Sequence, residues 1–461
     1  MSDGGTNQLK KTLGFTVALT TIIGMVVGSG IFFKPYAIFN ATGGAPGLGM
    51  LAWVIAGLLS LAGALTAAEI AGMIPKTGGM VTYIHDIYGP KMGFMTGWVD
   101  SALYQTGSTA AIAVVFGVQG ASLLGFPPDN YWPKVLLAIG TTGFLAFMNN
   151  LGSRTSGIIQ NIATVGKLIP LVTIIAVSFV KGTGNDVLTP LLGPDLNPGK
   201  AFSLALLAAL FAFDGWMGVG MIAGEMKNPG KDLPKALILG ISIVSFIYII
   251  MNVAYLWVMP ADQLMLTETP AADVSKILFG QRGGQFVSIG ILISVFGGLN
   301  GYVFTAARST FTLAQSDRIP FSHVLKKVNK NGVPSNATWF VFIASSLYCL
   351  TGKYDLLTDL STFMIWNFYI LTFYGVIKLR KSHPDAVRPY KVPLYPVIPI
   401  IAILGGAAVV ISTIITQFTY AMAGIGIMLL GLPVYAYYEK KDKNSKNNKS
   451  DKSEEQIEEL V

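Results

Sequence analysis

The stretch that decides the fold lies in the middle of the first apolar run and reads Ile22-Ile23-Gly24-Met25-Val26-Val27-Gly28-Ser29-Gly30-Ile31-Phe32. Two glycines around a serine cost about 2 kcal/mol of helix propensity relative to alanine. The triplet therefore indicates a break inside an otherwise helical segment. The same triplet would also let two helices pack closely, so taken alone it leaves both interpretations open.

A second interruption lies far along the chain, at Phe211-Ala212-Phe213-Asp214-Gly215-Trp216-Met217-Gly218-Val219-Gly220. Here an acidic residue and three glycines interrupt another apolar run. The first run opens the chain, and the second would open another unit of five helices. Interruptions at corresponding places in two halves are typical of inverted-repeat transporters, and this pairing favours breaks over close packing.

The composition places these runs in a membrane. Of 461 residues, 52% are hydrophobic and 12% are charged, against roughly 25% charged in an ordinary soluble domain, and the mean hydropathy is +0.57. A bilayer core about 30 Å thick needs about 20 apolar residues per helix. The sequence predicts an all-α membrane protein with twelve spans, at 12–37, 45–72, 90–123, 132–150, 157–181, 200–222, 234–259, 286–314, 336–352, 359–379, 396–417 and 420–438.

The distribution of basic residues predicts the orientation of these spans. With the N-terminus inside, 24 of the 32 Lys and Arg residues fall on the cytoplasmic side, seven fall outside, and Lys167 lies within a span. Cytoplasmic loops carry the excess of Lys and Arg, so a multi-pass protein with both termini in the cytoplasm is expected. Anionic lipid headgroups account for the net charge of +8, and no nucleic acid partner is expected.

The predicted organisation follows from the spans and the tail. It comprises a cytoplasmic N-terminus (1–11), a first five-helix unit (12–181), a second five-helix unit (200–379), helices 11 and 12 (396–438) and a polar tail (439–461). The tail contains almost no apolar residues, so it is expected to be disordered.

Breaks of this kind suit a zwitterionic ligand. Unwound backbone inside a membrane must find polar partners or line a cavity, and the N-terminus of a half-helix offers free N–H groups and a positive dipole end. An amino acid satisfies both ends: its carboxylate fits the N–H groups around Ser29 and Gly30, and its ammonium fits the carbonyls that precede each break. The sequence thus predicts an amino acid site between the two breaks.

Other function classes fit the sequence less well. An intramembrane serine enzyme would need a base, but His85, His323 and His383 lie in predicted connections. A single cysteine, Cys349, permits neither an intrachain disulfide nor a thiolate metal cluster, and no cofactor is expected. A channel would need a lined pore rather than one midplane site, and a receptor would need a longer terminal extension.

Several motifs in order resemble the amino acid/polyamine/organocation (APC) superfamily, and within it the L-type amino acid transporter family. They are Gly28-Ser29-Gly30, Ile74-Pro75-Lys76-Thr77-Gly78-Gly79, Phe211-Ala212-Phe213-Asp214-Gly215-Trp216, Gly224-Glu225-Met226-Lys227-Asn228-Pro229, Phe296-Gly297-Gly298-Leu299-Asn300-Gly301 and Arg388-Pro389-Tyr390-Lys391-Val392-Pro393. The chain is most similar to bacterial members that exchange alanine, serine and cysteine or serine and threonine.

The resemblance implies a LeuT-type fold: a 5+5 inverted repeat with two further helices, in which helices 1 and 6 are discontinuous. It implies sodium-independent exchange of small neutral L-amino acids (Ala, Ser, Cys, Thr) across the plasma membrane by alternating access. A proton-coupled symporter of the same fold is the alternative. The implied substrate-binding residues are Val26, Gly28, Ser29, Gly30, Phe211, Ala212, Asp214 and Gly215.

The resemblance also suggests roles within that set. The substrate carboxylate would bind the backbone around Ser29 and Gly30. The ammonium would bind the carbonyls of Val26, Phe211 and Asp214, and the Phe211 ring would form a gate. Relatives that pair with a single-span glycoprotein carry a cysteine in the loop after span three, whereas here residues 124–132 contain none. No disulfide-linked glycoprotein subunit is expected.

Lys167 lies inside span five, where a charge costs about 2.5–3.5 kcal/mol or more on insertion scales. The family resemblance implies that Lys167 is a tethered cation, which replaces the second sodium ion of sodium-coupled relatives and reaches the first break and span eight. Proton coupling and a snorkelling lysine without a coupling role are the other interpretations.

Other polar residues within spans have two interpretations each. Asp214 either caps the second half-helix or faces the substrate. Asn300 either lines the site or bonds a neighbouring helix, and Ser108 and Gln105 are candidate pocket residues. Glu69 and Asp100 are interpreted as charges at the ends of spans or as gate residues.

Overall fold

The computed structural model describes residues 14–76 and 78–458, and the regular elements in this part of the chain are helices. The predicted cytoplasmic N-terminus (1–11) and Thr77 lie outside the described residues. In chain order the α-helices are α1 (Phe15–Val26), α2 (Gly30–Ala41), α3 (Pro46–Met73), α4 (Gly79–Tyr88), α5 (Pro90–Val99), α6 (Gln105–Leu123), α7 (Tyr131–Asn150), α8 (Ser153–Lys181), α9 (Pro198–Ala212), α10 (Pro229–Val258), α11 (Ala261–Leu264), α12 (Pro270–Gln315), α13 (Ser322–Leu325), α14 (Ser335–Cys349), α15 (Tyr354–Ser382), α16 (Val397–Thr416) and α17 (Phe418–Glu458). A π-helix (Asp100–Tyr104) joins α5 to α6, and a 3₁₀ helix (Trp216–Glu225) follows α9.

Many of these helices can cross a membrane. Within the described residues, eight are long and apolar enough to do so, and the bent pair α1–α2 raises the number to nine. Three predicted spans coincide with helices that are not among these eight or nine candidate spans: 132–150 with α7, 157–181 with α8 and 336–352 with α14. α14, for example, has only 15 residues. A multi-span helical protein is therefore observed, and the count of twelve stays a prediction.

Two helices extend beyond their predicted ends. α12 begins at Pro270 rather than near 286, and it bends at Gly280, whose φ of +70° interrupts the helical backbone. α17 continues to Glu458, into the polar tail for which the sequence predicts disorder. No Gly or Pro stands in that tail to end the helix.

The two halves of the bent pair lie among the other helices of the bundle. α1 packs on α10 and on the 3₁₀ helix, α2 packs on α9 and α12, and α12 runs along α8. Small residues permit these contacts: a Cβ on Gly297 would lie 2.2 Å from the Cβ of Ala163, and one on Gly240 would lie 2.7 Å from Ile22. This packing brings α8, the helix that carries Lys167, beside the first break.

Candidate substrate site

The first predicted break is present between α1 and α2. α1 ends at Val26, Val27 leaves the helical region with φ −72° and ψ 85°, and α2 begins at Gly30 at an angle of 40° to α1. In a continuous helix, the N–H groups of Gly28, Gly30 and Ile31 would bond the carbonyls four residues earlier. The break ends that pairing and leaves the N-terminus of α2 without its helical acceptors, which is the arrangement that binds anions.

The second predicted break follows α9. This helix ends at Ala212, and Gly215 takes a φ of +103°, a left-handed conformation that glycine adopts without steric cost. The chain then continues as a 3₁₀ helix (Trp216–Glu225) instead of an α-helix. Runs of 3₁₀ helix longer than 3–4 residues are uncommon, and the three glycines within this one weaken the α-helical alternative.

The two breaks touch each other. A Cβ on Gly30 would lie 2.5 Å from the Cα of Ala212, and one on Gly215 would lie 3.5 Å from the carbonyl oxygen of Met25. At Gly30, where a Cβ would overlap the Ala212 backbone, only glycine permits so close an approach. The structure therefore brings the two interrupted segments, 182 positions apart at Gly30 and Ala212, into one site.

Tyr248 of α10 bonds both breaks. Its buried hydroxyl lies 2.8 Å from the carbonyl oxygen of Val26 and 3.0 Å from that of Ala212. In continuous helices these two carbonyls would accept from Gly30 and Trp216. One side chain thus satisfies an orphaned carbonyl at each break.

Lys167 satisfies two further carbonyls of the first break. Its buried ammonium lies 2.5 Å from the oxygen of Gly24 and 2.8 Å from that of Val27. These are the carbonyls that the N–H groups of Gly28 and Ile31 would otherwise bond. The ammonium is held inside the bundle, which favours the sodium-replacement and proton-coupling interpretations over snorkelling.

The groups expected to bind an amino acid lie around this contact. Ser29 precedes α2 without capping it, and its Oγ lies 3.4 Å from the hydroxyl of Tyr354. The Phe211 carbonyl accepts from the Asp214 N–H at 3.1 Å. A carbonyl oxygen carries two lone pairs, so Phe211 and Val26 can each still accept a bond from an ammonium.

Asp214 is held by two tyrosines. Its two carboxylate oxygens accept from the hydroxyls of Tyr104 at 2.6 Å and Tyr369 at 2.7 Å. The 3₁₀ helix that follows has Gly215 at its N-cap and no side-chain cap hydrogen bond. The carboxylate joins the second break to the π-helix and to α15.

The three supporting candidates occupy different surroundings. Gln105 lines a cavity beside the second break. Asn300 accepts from Asn149 at 3.1 Å and donates to the Ser156 carbonyl at 3.2 Å, which ties α12 to α7 and α8 and matches the helix-bonding interpretation. Ser108 is fully buried, and its hydroxyl has no hydrogen-bond partner among the described residues.

Two cavities lie on one side of the second break. The first holds about 30 Å³ and is lined by Asp100, Tyr104, Gly215 and Tyr369 among others, which is room for about two waters. The second holds about 450 Å³ and reaches the surface at His85 and Arg318. Both are lined by Val81 and Met221, so these side chains separate the break from the larger cavity.

An aromatic layer covers the breaks on the other side. The Phe211 and Tyr354 rings meet edge to face with centroids 5.9 Å apart, and Phe33 packs on Tyr354 at 6.4 Å. Beyond these rings lies the fully buried Lys34. Lys34 lies within the predicted span 12–37 and was counted among the seven Lys and Arg residues at the outer side of the membrane. In the structure its ammonium is buried inside the bundle on α2.

Other residues at the site were not foreseen from the sequence. Tyr248, Tyr104 and Tyr369 all lie within apolar runs, and a buried tyrosine needs a partner for its hydroxyl. This requirement for a hydroxyl partner is the signal in the sequence that could have indicated these three tyrosines. It indicates that a bond exists but does not identify the partner, because the partners lie on other helices.

Two further buried carboxylates were interpreted in the sequence as span-end charges or gate residues. Glu69 bonds Arg380 through two contacts at 2.8 and 2.6 Å and lies 3.3 Å from Arg388, so it ties α3 to α15 and to the segment after it. Asp100 accepts from Ser309 and lines the small cavity. Among the described residues, no group of three or more His, Cys, Asp or Glu side chains could hold a metal ion.

Comparison with known proteins identifies the family. The profile of the family described as amino acid permease matches residues 13–431. The chain is 40% identical to the serine/threonine exchanger SteT of Bacillus subtilis (strain 168), over 94% of this chain and 98% of that one.

Human relatives match over similar lengths. Identity is 32% to the large neutral amino acids transporter small subunit 2 (95% of this chain, 83% of that one) and 32% to the b(0,+)-type amino acid transporter 1 (90% and 85%). These relatives are transporters and exchangers, which confirms that an enzyme is not the right class. The chain belongs to the amino acid permease family of the APC superfamily and is a multi-span helical membrane protein of that family of amino acid transporters and exchangers.

Proposed function

We propose that this protein is a sodium-independent antiporter that exchanges small neutral L-amino acids (alanine, serine, cysteine and threonine) across the plasma membrane. The observation that carries the proposal is the contact between the two helix breaks, whose orphaned carbonyls are held by Tyr248 and Lys167. The names of the relatives support exchange of amino acids as the class of reaction.

The breaks supply both halves of zwitterion recognition. The N-terminus of α2 at Ser29 and Gly30 would bind the carboxylate through N–H groups and the helix dipole. The carbonyls of Val26, Phe211 and Asp214 would bind the ammonium. The close approach of Gly30 to Ala212 and the contact of Gly215 with Met25 would place these groups, with Gly28 between them, around one ligand.

The surroundings favour small, neutral side chains. Phe211 lies above the breaks as the proposed gate, and the cavity beside the second break holds only about 30 Å³. Both oxygens of Asp214 accept hydrogen bonds from tyrosines. A basic substrate side chain would therefore find no unoccupied carboxylate at the second break.

Lys167 supports independence from sodium. A fixed ammonium on the carbonyls of the first break does the work that a bound cation would do there: it neutralises and orients the broken end of α1. A proton-coupled symporter is the alternative. One observation favours the symporter. The Lys167 ammonium contacts carbonyl oxygens rather than a carboxylate, so its positive charge has no fixed counter-ion in those contacts.

The proposed architecture is a 5+5 inverted repeat with two further helices, twelve spans in all, and both termini in the cytoplasm. Transport would proceed by alternating access around the breaks. The larger cavity reaches the end that carries His85 and Arg318, the end that the Lys and Arg distribution assigns to the cytoplasm. The aromatic layer at Phe211 and Tyr354 would cover the site toward the outside.

The protein is proposed to work in the lipid bilayer without a disulfide-linked glycoprotein subunit. The loop at 124–132 contains no cysteine, and the chain's single cysteine, Cys349, is buried. The relatives whose name describes a small subunit are the less similar ones at 32% identity.

Uptake of radiolabelled serine into proteoliposomes of the purified protein tests this function. In sodium-free buffer, uptake should require unlabelled serine, alanine or threonine inside the vesicles and should ignore an imposed pH gradient. Empty vesicles that accumulate serine when the outside is acidic would support the symporter instead.

A further inference from the structure

Lys34 occupies a site with the chemistry of an alkylammonium receptor. Its ammonium lies 2.7 Å from Oδ1 of Asp355, 2.6 Å from Oγ1 of Thr358 and 3.6 Å from Oδ1 of Asp359. The Tyr354 ring centroid lies 4.8 Å away and that of Phe211 lies 5.5 Å away. Two carboxylates, a hydroxyl and two ring faces are the groups that bind an organic ammonium ion. We refer to these five residues as the outer cation site.

The outer cation site adjoins the proposed substrate site. Lys34 stands four residues after Gly30 on α2, so it lies one turn beyond the break on the same helix face. Tyr354 contributes its ring to the cation site, and its hydroxyl lies 3.4 Å from Oγ of Ser29. One layer of aromatic rings thus separates the Lys34 ammonium from the groups that would hold a substrate's carboxylate.

The charges of the outer cation site depend on Lys34. Asp355 and Asp359 form ion pairs with it, while their own side chains remain 39% and 17% exposed. The Lys34 side chain is fully buried. Without this ammonium, two carboxylates would face a space of the size and shape of a lysine side chain, at the outer edge of the substrate path.

We infer that Lys34 is a tethered occupant of a cation subsite and that it excludes basic amino acids. Its ammonium fills the position that the side-chain ammonium of a substrate such as lysine would otherwise take. This inference rests on the proposed function, since it presumes that the wild-type protein exchanges neutral amino acids between the two breaks. It assigns the outer cation site a role in substrate selection in addition to its contacts between α2 and α15.

The test is a change in substrate range. Lys34→Ser vacates the site while keeping it polar, and exchange of labelled lysine is compared with exchange of labelled serine in proteoliposomes. We expect lysine exchange to rise at least about tenfold over wild type, while serine exchange persists. Lys34→Met is the matched control, because an unbranched apolar side chain fills the space without a charge; it should bring no lysine exchange. Lys34→Ser combined with Asp355→Asn should lose most of the gain.

Two results would overturn the inference. One is a Lys34→Ser protein that exchanges serine but gains no lysine exchange. The other is an equal gain in Lys34→Met, which would show that lysine does not bind in the space that Lys34 fills. Lysine exchange by the wild type would instead contradict the neutral substrate range of the proposed function, and with it the excluding role of Lys34.

A binding measurement tests the inference even if the Lys34→Ser variant does not transport. The melting temperature of purified Lys34→Ser is measured with lysine and with norleucine, which has nearly the same shape but no side-chain charge. Lysine should stabilise this variant more than norleucine does and should show no such preference in the wild type. Equal stabilisation of the variant by both ligands would also overturn the inference.

Discussion

The ammonium of Lys167 lies 2.8 Å from the carbonyl oxygen of Val27, 140 residues away in the sequence. Together with its contact to Gly24, this bond occupies two of the carbonyls that the first helix break leaves without N–H donors. The break is therefore kept open by a charge from another helix. This relationship links Lys167, the proposed sodium-site surrogate, to the break whose groups are proposed to bind the substrate.

Replacing Lys167 should slow exchange more than it weakens substrate binding. In Lys167→Ala the carbonyls of Gly24 and Val27 lose their donor, at a cost of about 1–3 kcal/mol for a buried unsatisfied group, and α1 can change its position relative to α2. We expect the maximal rate of serine exchange to fall about tenfold or more, with a smaller change in KM.

Lys181→Ala is the control on the same helix, because this lysine lies exposed at the end of α8. It should leave exchange unchanged. A Lys167→Ala protein with wild-type rates would refute the role assigned to this ammonium.

Tyr248 provides a second test of the joined breaks. Tyr248→Phe removes only the hydroxyl that contacts the carbonyls of Val26 and Ala212. We expect serine exchange to fall about tenfold, which corresponds to ~1.4 kcal/mol, because both breaks lose a bond. Initial rates over a range of serine concentrations measure the effect.

Tyr255→Phe is a matched control on α10. Tyr255 is also fully buried, but its hydroxyl has no hydrogen-bond partner among the described residues. Its replacement should therefore be nearly neutral for transport. Equal losses in the two variants would mean that the Tyr248 hydroxyl has no special function at the breaks.

Asp214 should act as an anchor for the second break rather than as a counter-ion of the substrate. Asp214→Asn keeps one acceptor oxygen for Tyr104 or Tyr369, so we expect a loss of only a few-fold in serine exchange, whereas Asp214→Ala removes both bonds and should abolish it. Competition by unlabelled alanine, serine and lysine gives the substrate range of each active variant. A change of range in Asp214→Asn would show that the carboxylate contacts the substrate side chain.

The buried ion pairs of Glu69 should matter for stability. Glu69→Gln leaves Arg380 and Arg388 without their carboxylate, and loss of one partner of a buried pair costs about 3–5 kcal/mol. We expect the melting temperature of the purified protein to fall by several degrees. Asp273→Asn, in the more exposed pair with Lys276, should change it little. A Glu69→Gln protein as stable as the wild type would contradict this assignment.

The sequence predicts the local features of this site better than it predicts the contacts between distant segments of the chain. Gly28-Ser29-Gly30 and Phe213-Asp214-Gly215 indicate the two breaks, because helix propensity and the conformational freedom of glycine are local properties. The bonds from Tyr248 and Lys34 are not visible in the sequence. They join residues 222 and 321 positions apart, and no period or motif in one segment identifies its partner.

Residue type alone also does not identify the partners of buried charges. Lys34 was counted at the outer side of the membrane, and the two carboxylates that pair with its buried ammonium stand on α15. Hydropathy indicated that Lys167 needs a partner, and the family resemblance implied that it reaches the first break; in the structure it contacts the carbonyls of Gly24 and Val27. Capping of the second half-helix was one of two interpretations of Asp214, and neither indicated the hydroxyls of Tyr104 and Tyr369 that bond its two oxygens.

We propose that the protein exchanges amino acids one for one at a single site between the two breaks: it takes up one amino acid for each one that it releases. The most direct test counts both movements at once, with tritiated serine outside and carbon-14 alanine inside proteoliposomes of the purified protein in sodium-free buffer at equal pH. The account predicts one alanine released for each serine taken up, and no net uptake into empty vesicles. Net accumulation of serine without alanine release, or an absolute requirement for sodium, would contradict it.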